Sequence, residues 1–335
     1  MDMIKKISSL GIVPVIKLTD ANNAVPLCRA LANGGLPVAE ITFRTAAAEE
    51  SIRRVAQELP EVLVGAGTVL TIEQVNTAMN AGAKFIVTPG FDEEVTRYCV
   101  EHNIPIFPGC PTTSDIQKAI KCGLKVVKFF PAEAMGGLNA IKAVAAPYGG
   151  MLFMPTGGVS EKNLNDYLAF DKIIACGGSW MAKEDLINAG KFDEIEAMTR
   201  SAVQKMLGFE IKHVGINCGD EEEAMAVAKK FSVLFGWPIK DGNSSVFAGS
   251  AIEAMKAPYL GAKGHIAVGC NSVVRAQAYL ESMGFEFNAE SAKEKNGKLI
   301  AIYLKDEIGG FAVHLVQKEG RQCRLTCAGA SILRP

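Results

Sequence analysis

The chain has 335 residues, which suggests about two domains at a soft prior of about 150 residues each. Hydrophobic residues make up 49% and charged residues 21%, an ordinary globular profile that excludes a disordered or low-complexity chain. Lys and Arg total 35 against 36 Asp and Glu, so a formal net charge of -1 excludes a global field drawing the protein to nucleic acid or an anionic membrane.

The first residues, MDMIKKISSLG, contain no apolar core of a signal peptide. No later apolar run approaches the ~20 residues of a membrane span. From there to residue 207 one cycle repeats: a short apolar run, then an amphipathic stretch. The runs are Val13–Leu18, Val38–Phe43, Leu63–Val69, Phe85–Thr88, Ile104–Pro108, Val126–Phe130, Leu152–Thr156 and Lys172–Cys176. The stretches between them include Ala46–Leu59, Ile72–Asn80, Asp92–Glu101 and Ser114–Lys121, with Asp92 and Ser114 read as helix starts. Eight buried strands alternating with helices predict an α/β fold with a parallel sheet covered on both faces. Eight units close naturally into a (β/α)8 TIM barrel. An open doubly wound sheet is the alternative, and the sequence lacks its GxGxxG first turn.

A second region follows from residue 208 to 335 and carries a weak internal repeat. Ile211–Ile216 resembles Gly264–Gly269 in pattern. A helical stretch follows each, Glu221–Leu234 and Ser272–Met283, and then Gly236-Trp237 or Gly284-Phe285. Each copy closes on a strand-like run, Ala251–Met255 or Phe311–Val316. Two such units predict one α+β domain of paired βαβββ pattern. No Ser/Gly-rich linker separates the regions, so they are expected to pack closely. The nine cysteines are odd in number and lack a CxxC pair, the closest being Cys323 and Cys327. Reduced thiols in a cytoplasmic protein fit this better than a disulfide framework.

Three segments carry chemistry. Val126–Glu133 sets a lysine inside an apolar strand, where either Val126, Lys128 and Phe130 or Val127 and Phe129 point inward. A buried lysine is costly unless neutral, paired or functional. Desolvation in general favours the free amine, the nucleophile of Schiff-base chemistry. Lys128 reads equally as a strand-end lysine reaching for solvent. In Val38–Thr45, Glu40, Thr42 and Arg44 alternate on one face. Facing the lumen, the carboxylate could shuttle protons and the guanidinium could clamp a substrate carboxylate; a Glu40–Arg44 ion pair is the structural alternative. Thr156-Gly157-Gly158 and Gly177-Gly178-Ser179 follow the seventh and eighth strands, where barrels hold phosphate on backbone N–H groups. Two tight turns would look the same.

Together these segments resemble the 2-keto-3-deoxy-6-phosphogluconate / 2-keto-4-hydroxyglutarate aldolase family. The matching pieces are Val13-Pro14-Val15-Ile16, Glu40–Thr45, Gly65–Val69, Lys128–Glu133 and Thr156–Val159, in family order over about residues 1–207. The resemblance implies a class I aldolase, needing no cofactor, on a homotrimeric barrel, acting on a small-molecule 2-keto acid. By motif, it implies Lys128 as the Schiff-base residue and Glu40 as acid/base. Arg44 and Thr68 would hold the pyruvate carboxylate end, Thr156, Phe130 and Pro89 would line the pocket, and Gly157, Gly158, Gly178 and Ser179 would hold phosphate. Pro108-Gly109-Cys110-Pro111-Thr112-Thr113-Ser114 departs from the family's usual order and leaves the shape of that rim open. Lys17 is a second lysine near the mouth, a rival cation or an exposed one. A barrel isomerase or synthase without a Schiff base, and a sensor with an inactive barrel, are the competing functions.

The second region resembles the glyoxalase-like, vicinal-oxygen-chelate fold through its paired pattern. That resemblance implies four ligands from the first and last strands of each unit. The matching positions are His213, Glu253, His265 and His314, a set suited to a divalent metal such as Zn²⁺, Ni²⁺ or Fe²⁺. The chain has four histidines, and ordinary packing would account for three of them equally well.

Overall fold

In this computed structural model residues 2–318 are described; the Cys323–Cys327 pair and the last stretch of the 208–335 region lie outside them. Eight strands occupy the first region: β1 (Ile12–Ile16), β2 (Val38–Thr42), β3 (Leu63–Gly67), β4 (Ile86–Val87), β5 (Ile106–Phe107), β6 (Val126–Phe129), β7 (Leu152–Pro155) and β8 (Cys176–Gly178). They are parallel, ordered β5-β4-β3-β2-β1-β8, with β6 beside β7. Isolated bridges join Gly109 to Lys128 and Thr156 to Gly177, so the sheet curls until β5 meets β6 and β7 meets β8. The β5–β6 seam uses the departing segment, where the Cys110 amide donates to the Lys128 carbonyl at 2.8 Å.

Every residue of β2 and β6 is buried, as expected for strands covered on both faces. Helices between strands start where sequence supplies a side-chain cap. Asp92 accepts from the Val95 amide at 2.8 Å and Thr71 from the Gln74 amide at 3.2 Å. Two expectations are corrected. Thr112, not Ser114, caps the helix Thr113–Lys121, because its hydroxyl sits three residues before the free Asp115 amide. The eighth strand is Cys176–Gly178 rather than Lys172–Cys176. Its glycines carry no strand propensity, but pairing with β1 begins at Cys176, whose amide donates to the Gly11 carbonyl at 2.9 Å.

The second region contains β9 (Glu210–Asn217), β10 (Ile239–Asp241), β11 (Ser245–Ala248) and β12 (Ile252–Met255), then β13 (Gly264–Cys270), β14 (Phe287–Lys295), β15 (Lys298–Leu304) and β16 (Ala312–Gln317). A helix follows the first strand of each set, Glu221–Phe235 and Val273–Ser282. The sheet order is β10-β11-β12-β9-β13-β16-β15-β14, which sets the two sets side by side.

The regions pack closely. Cys270, Val273, Ala276, Ile302 and Leu315 belong to the same buried core as the parallel sheet. Arg275 is partly buried at that junction and donates from Nε to the Ser8 carbonyl and from Nη2 to the Ile174 carbonyl, both at 3.1 Å. Burial holds its guanidinium below the usual arginine range, and two carbonyls solvate it in place of water. Among the described residues, no helix is long and apolar enough to cross a membrane.

Candidate functional site

Two groups of side chains stand out, one in each region. The first lies at the carboxyl ends of the parallel strands. Lys128 on β6 and Glu40 on β2 are 88 positions apart, yet Nζ lies 3.3 Å from Oε1. Glu40 is fully buried and Lys128 is 5% exposed, so the pair sits away from solvent. This decides the face of β6: Lys128 points into the curled sheet, and Phe130 just beyond the strand places its ring 5.3 Å from Nζ. The expected alternatives fail for the same reason. Lys128 does not reach solvent, and Glu40 pairs with Lys128 rather than with Arg44. Glu40 Oε2 is buried with no hydrogen-bond partner, an acceptor open to a proton or hydroxyl.

Glycines make the room. A Cβ on Gly67 would lie 2.3 Å from Glu40 Oε1, and one on Gly177 would lie 2.3 Å from Thr156 Oγ1. Neither spacer was singled out for this role; the available signal was glycine within a strand, which marks close approach. Thr42 Oγ1 donates to the Ile16 carbonyl at 2.8 Å, tying β2 to β1 beside the pair.

Arg44 lies past the end of β2 and is exposed; its Nε donates to Thr68 Oγ1 at 3.3 Å. Thr68 has φ 56°, a left-handed conformation that costs a non-glycine residue about 1–3 kcal/mol and is concentrated at functional sites. Arg44 and Phe130 share a cavity of about 750 Å³ with Thr156, Gly157, Gly158, Gly178 and Ser179. Gly157 and Gly158 take φ 96° and 83°, which turns the chain sharply after β7. Trp180 and Lys183 also line this cavity and were missed by sequence reasoning. A Cβ on Gly178 would lie 2.0 Å from the Trp180 ring. Lys17 faces the cavity but is held at 2.9 Å by Glu184. Pro89 stands apart from that lining; its carbonyl occupies the space a Cβ on Gly109 would need.

In the second region the inner strands bring four predicted residues together: Glu253 on β12, His213 on β9, His265 on β13 and His314 on β16. One ring nitrogen from each histidine lies within 4.8 Å of the others. Glu253 Oε2 lies 3.0 Å from His213 Nε2 and 3.1 Å from His265 Nε2. Ser245 Oγ donates to Glu253 Oε1 at 2.7 Å, an orienting partner not anticipated from sequence. Burial opposes the Glu253 charge, but hydrogen bonds from His213, His265 and Ser245 outweigh it and hold the carboxyl well below its usual range. Burial, then the His265 and His213 imidazoles, pushes His314 down to about 3. Both nitrogens of His314 and Nδ1 of His265 lack partners, although buried. Three clustered imidazoles, two of them with buried unpartnered nitrogens, beside an oriented carboxylate fit a divalent transition metal.

A buried amine touching a buried carboxylate, beside a cavity at the strand ends that Arg44, Thr156 and Ser179 help line, is the equipment of an enzyme that works on a carbonyl compound through a lysine. Comparison with known proteins gives the family. Residues 3–198 match the family model described as "KDPG and KHG aldolase", and the chain belongs to that family. It is 46% identical to the 2-dehydro-3-deoxy-phosphogluconate aldolase of Treponema pallidum over 193 residues, 58% of this chain and 92% of the relative. Identity to the KHG/KDPG aldolase of Escherichia coli K12 is 44% over 193 residues, 58% and 91% of the two chains. The KDPG aldolase of Legionella pneumophila, solved with pyruvate captured as a covalent carbinolamine, superposes with a TM-score of 0.58 at 32% identity, covering 60% of this chain and 98% of that one.

Proposed function

We propose that this chain is a class I aldolase. It cleaves 2-keto-3-deoxy-6-phosphogluconate to pyruvate and glyceraldehyde 3-phosphate, and 4-hydroxy-2-oxoglutarate to pyruvate and glyoxylate. The carrying observation is the buried Lys128–Glu40 contact of 3.3 Å, inside the span that matches the family. Lys128 Nζ attacks the C2 ketone, giving a carbinolamine that loses water to an iminium. Glu40 takes the C4 hydroxyl proton, the C3–C4 bond breaks, and its electrons pass into the iminium to give an enamine. The aldehyde leaves, C3 is protonated, and water releases pyruvate from the lysine. Glu40 contacts the amine directly, so one carboxylate can serve both the nitrogen and the substrate oxygen. Arg44 and Thr68 receive the substrate carboxylate. Thr156 and Phe130 line the pocket, Pro89 supports its rim, and Gly157, Gly158, Gly178 and Ser179 take the phosphate. The reaction proceeds with the protein's own residues in a closed (β/α)8 barrel of residues 1–207, acting as a homotrimer in the cytoplasm. Borohydride added with pyruvate should fix a three-carbon adduct on Lys128. An adduct on Lys17 instead, with Lys128→Ala still active, would overturn the assignment. Light scattering on the purified chain would test the trimer.

For residues 208–335 we propose a glyoxalase-like domain of paired βαβββ units that holds one divalent metal on His213, Glu253, His265 and His314. Such a metal would supply a Lewis acid to a bound ligand, while Ser245 fixes the Glu253 carboxylate. The supporting feature is the clustering of His213, His265 and His314, each with a ring nitrogen within 4.8 Å of the others, two of them carrying buried nitrogens without a partner. Elemental analysis after metal loading tests this. Chelator should strip the metal and leave aldolase activity unchanged.

A further inference from the structure

The eight-stranded sheet has its own cavity, of about 530 Å³, and it shares no lining residue with the cavity beside Lys128. The histidine cluster forms part of its lining, and Phe247, Tyr259 and Tyr303 add aromatic surface. The Tyr303 ring stacks on His314 with centroids 4.5 Å apart, so one wall is flat. Gly215 keeps the interior open, since a Cβ there would lie 2.0 Å from the His265 ring.

Charge around this cavity is one-sided. Lys293, Lys295 and Lys318 line it, whereas Glu253 is the one acidic residue among the described lining. Glu253 is already engaged by His213, His265 and Ser245. Lys318 is partly neutralised by Glu210 at 3.0 Å. Lys293 and Lys295 have no carboxylate within 4.0 Å among the described residues, and both are exposed. The unpaired ammonium groups of Lys293 and Lys295 line the same cavity as the three imidazoles, and a divalent metal held by those imidazoles would add a second positive charge to it.

We propose that this cavity is a second small-molecule site of the chain, which takes a small organic polyanion: one oxygen-bearing group meets the metal held by the histidines, and a second anionic group meets Lys293 and Lys295. The proposal rests on the metal reading above. It makes the protein two-sited, with the second site reading the charge at the far end of its ligand. A monoanion or a neutral analogue can satisfy one end of the cavity and leaves the other unpaired, so charge number is the property selected.

The test uses the full chain loaded with Co²⁺, whose d–d absorption reports the metal's own surroundings and is blind to the aldol site. The probes are 2-oxoglutarate, a dianion, and pyruvate, a monoanion. Titrating 2-oxoglutarate should change the Co²⁺ bands at lower concentration than pyruvate does. The double variant Lys293→Ala/Lys295→Ala should take up Co²⁺ as before and raise half-saturation for 2-oxoglutarate by about tenfold, as loss of two exposed charge contacts requires. Half-saturation for pyruvate should move less, and Lys293→Arg/Lys295→Arg should retain most of the binding. Unchanged half-saturation in the alanine variant, or Co²⁺ bands indifferent to both acids, overturns this proposal and leaves the metal reading standing. Failure to take up Co²⁺ overturns both.

Discussion

Gly67 faces Glu40 so closely that a methyl group on the glycine would lie 2.3 Å from the carboxylate oxygen that accepts from Lys128. The neighbour is a buried carboxylate on a covered strand, held by the register that pairs Thr42 with Gly67. It cannot yield by a simple rotation toward solvent. Gly67→Ala should therefore displace Glu40 and lower kcat by about 10²-fold, the usual effect of moving a reacting group by about 1 Å. Pyruvate release is the assay. Near-native turnover would show that Glu40 tolerates displacement.

Lys128 and Glu40 should separate on trapping. Lys128→Ala should lose both turnover and the borohydride adduct with pyruvate. Glu40→Gln should still form the adduct while kcat falls by about 10²–10⁴-fold, the typical contribution of a positioned acid/base. Mass spectrometry of the trapped protein reads the first effect, and steady-state kinetics the second. Loss of the adduct in Glu40→Gln would assign the carboxylate to imine formation rather than to bond cleavage.

The two glycine turns near Ser179 predict substrate preference. Charge-assisted hydrogen bonds contribute about 1.5–3 kcal/mol each, so even two of them to phosphate should favour the phosphorylated six-carbon substrate by at least about 10²-fold in kcat/KM. Comparable kcat/KM for 4-hydroxy-2-oxoglutarate would mean that the turns serve only the chain path. Ser179→Ala should narrow the preference without altering trapping by pyruvate, which lacks phosphate.

Arg275 predicts how the two regions depend on each other. Its guanidinium satisfies two carbonyls of the first region from a helix of the second. Arg275→Ala leaves both carbonyls buried at the junction and should cost about 1.5–3 kcal/mol, the range for hydrogen bonds to charged groups. Urea unfolding followed by fluorescence measures it. An unchanged midpoint would show that water replaces the guanidinium there. Cutting the chain after residue 207 should be more damaging, because Val273, Ala276 and Leu315 belong to the core shared with the first region.

Much of this protein is determined locally. Seven of the eight apolar runs each correspond to a buried parallel strand because they are too short and too apolar for a solvent-facing element, and Asp92 marks a helix start through its own side chain. The motif around Lys128 was legible because residue type needs no partner to be read, and His213, Glu253, His265 and His314 were reached through the resemblance of the paired pattern to the glyoxalase-like fold. What required the tertiary structure is who meets whom. Glu40 could have paired with Arg44, four residues away on its own segment, yet it meets Lys128 from a strand 88 positions distant. Closure of the sheet decides that, because the ring of strands brings inward-facing side chains together whatever their separation in sequence. The glycine-rich β8 shows the same limit, since its residues acquire strand structure from β1 rather than from their own propensity. In the second region the order β12-β9-β13-β16 sets the four strands that carry these residues side by side. Hydrogen bonding between strands acts at a distance along the chain, and so the convergence of these residues is a property of the fold alone.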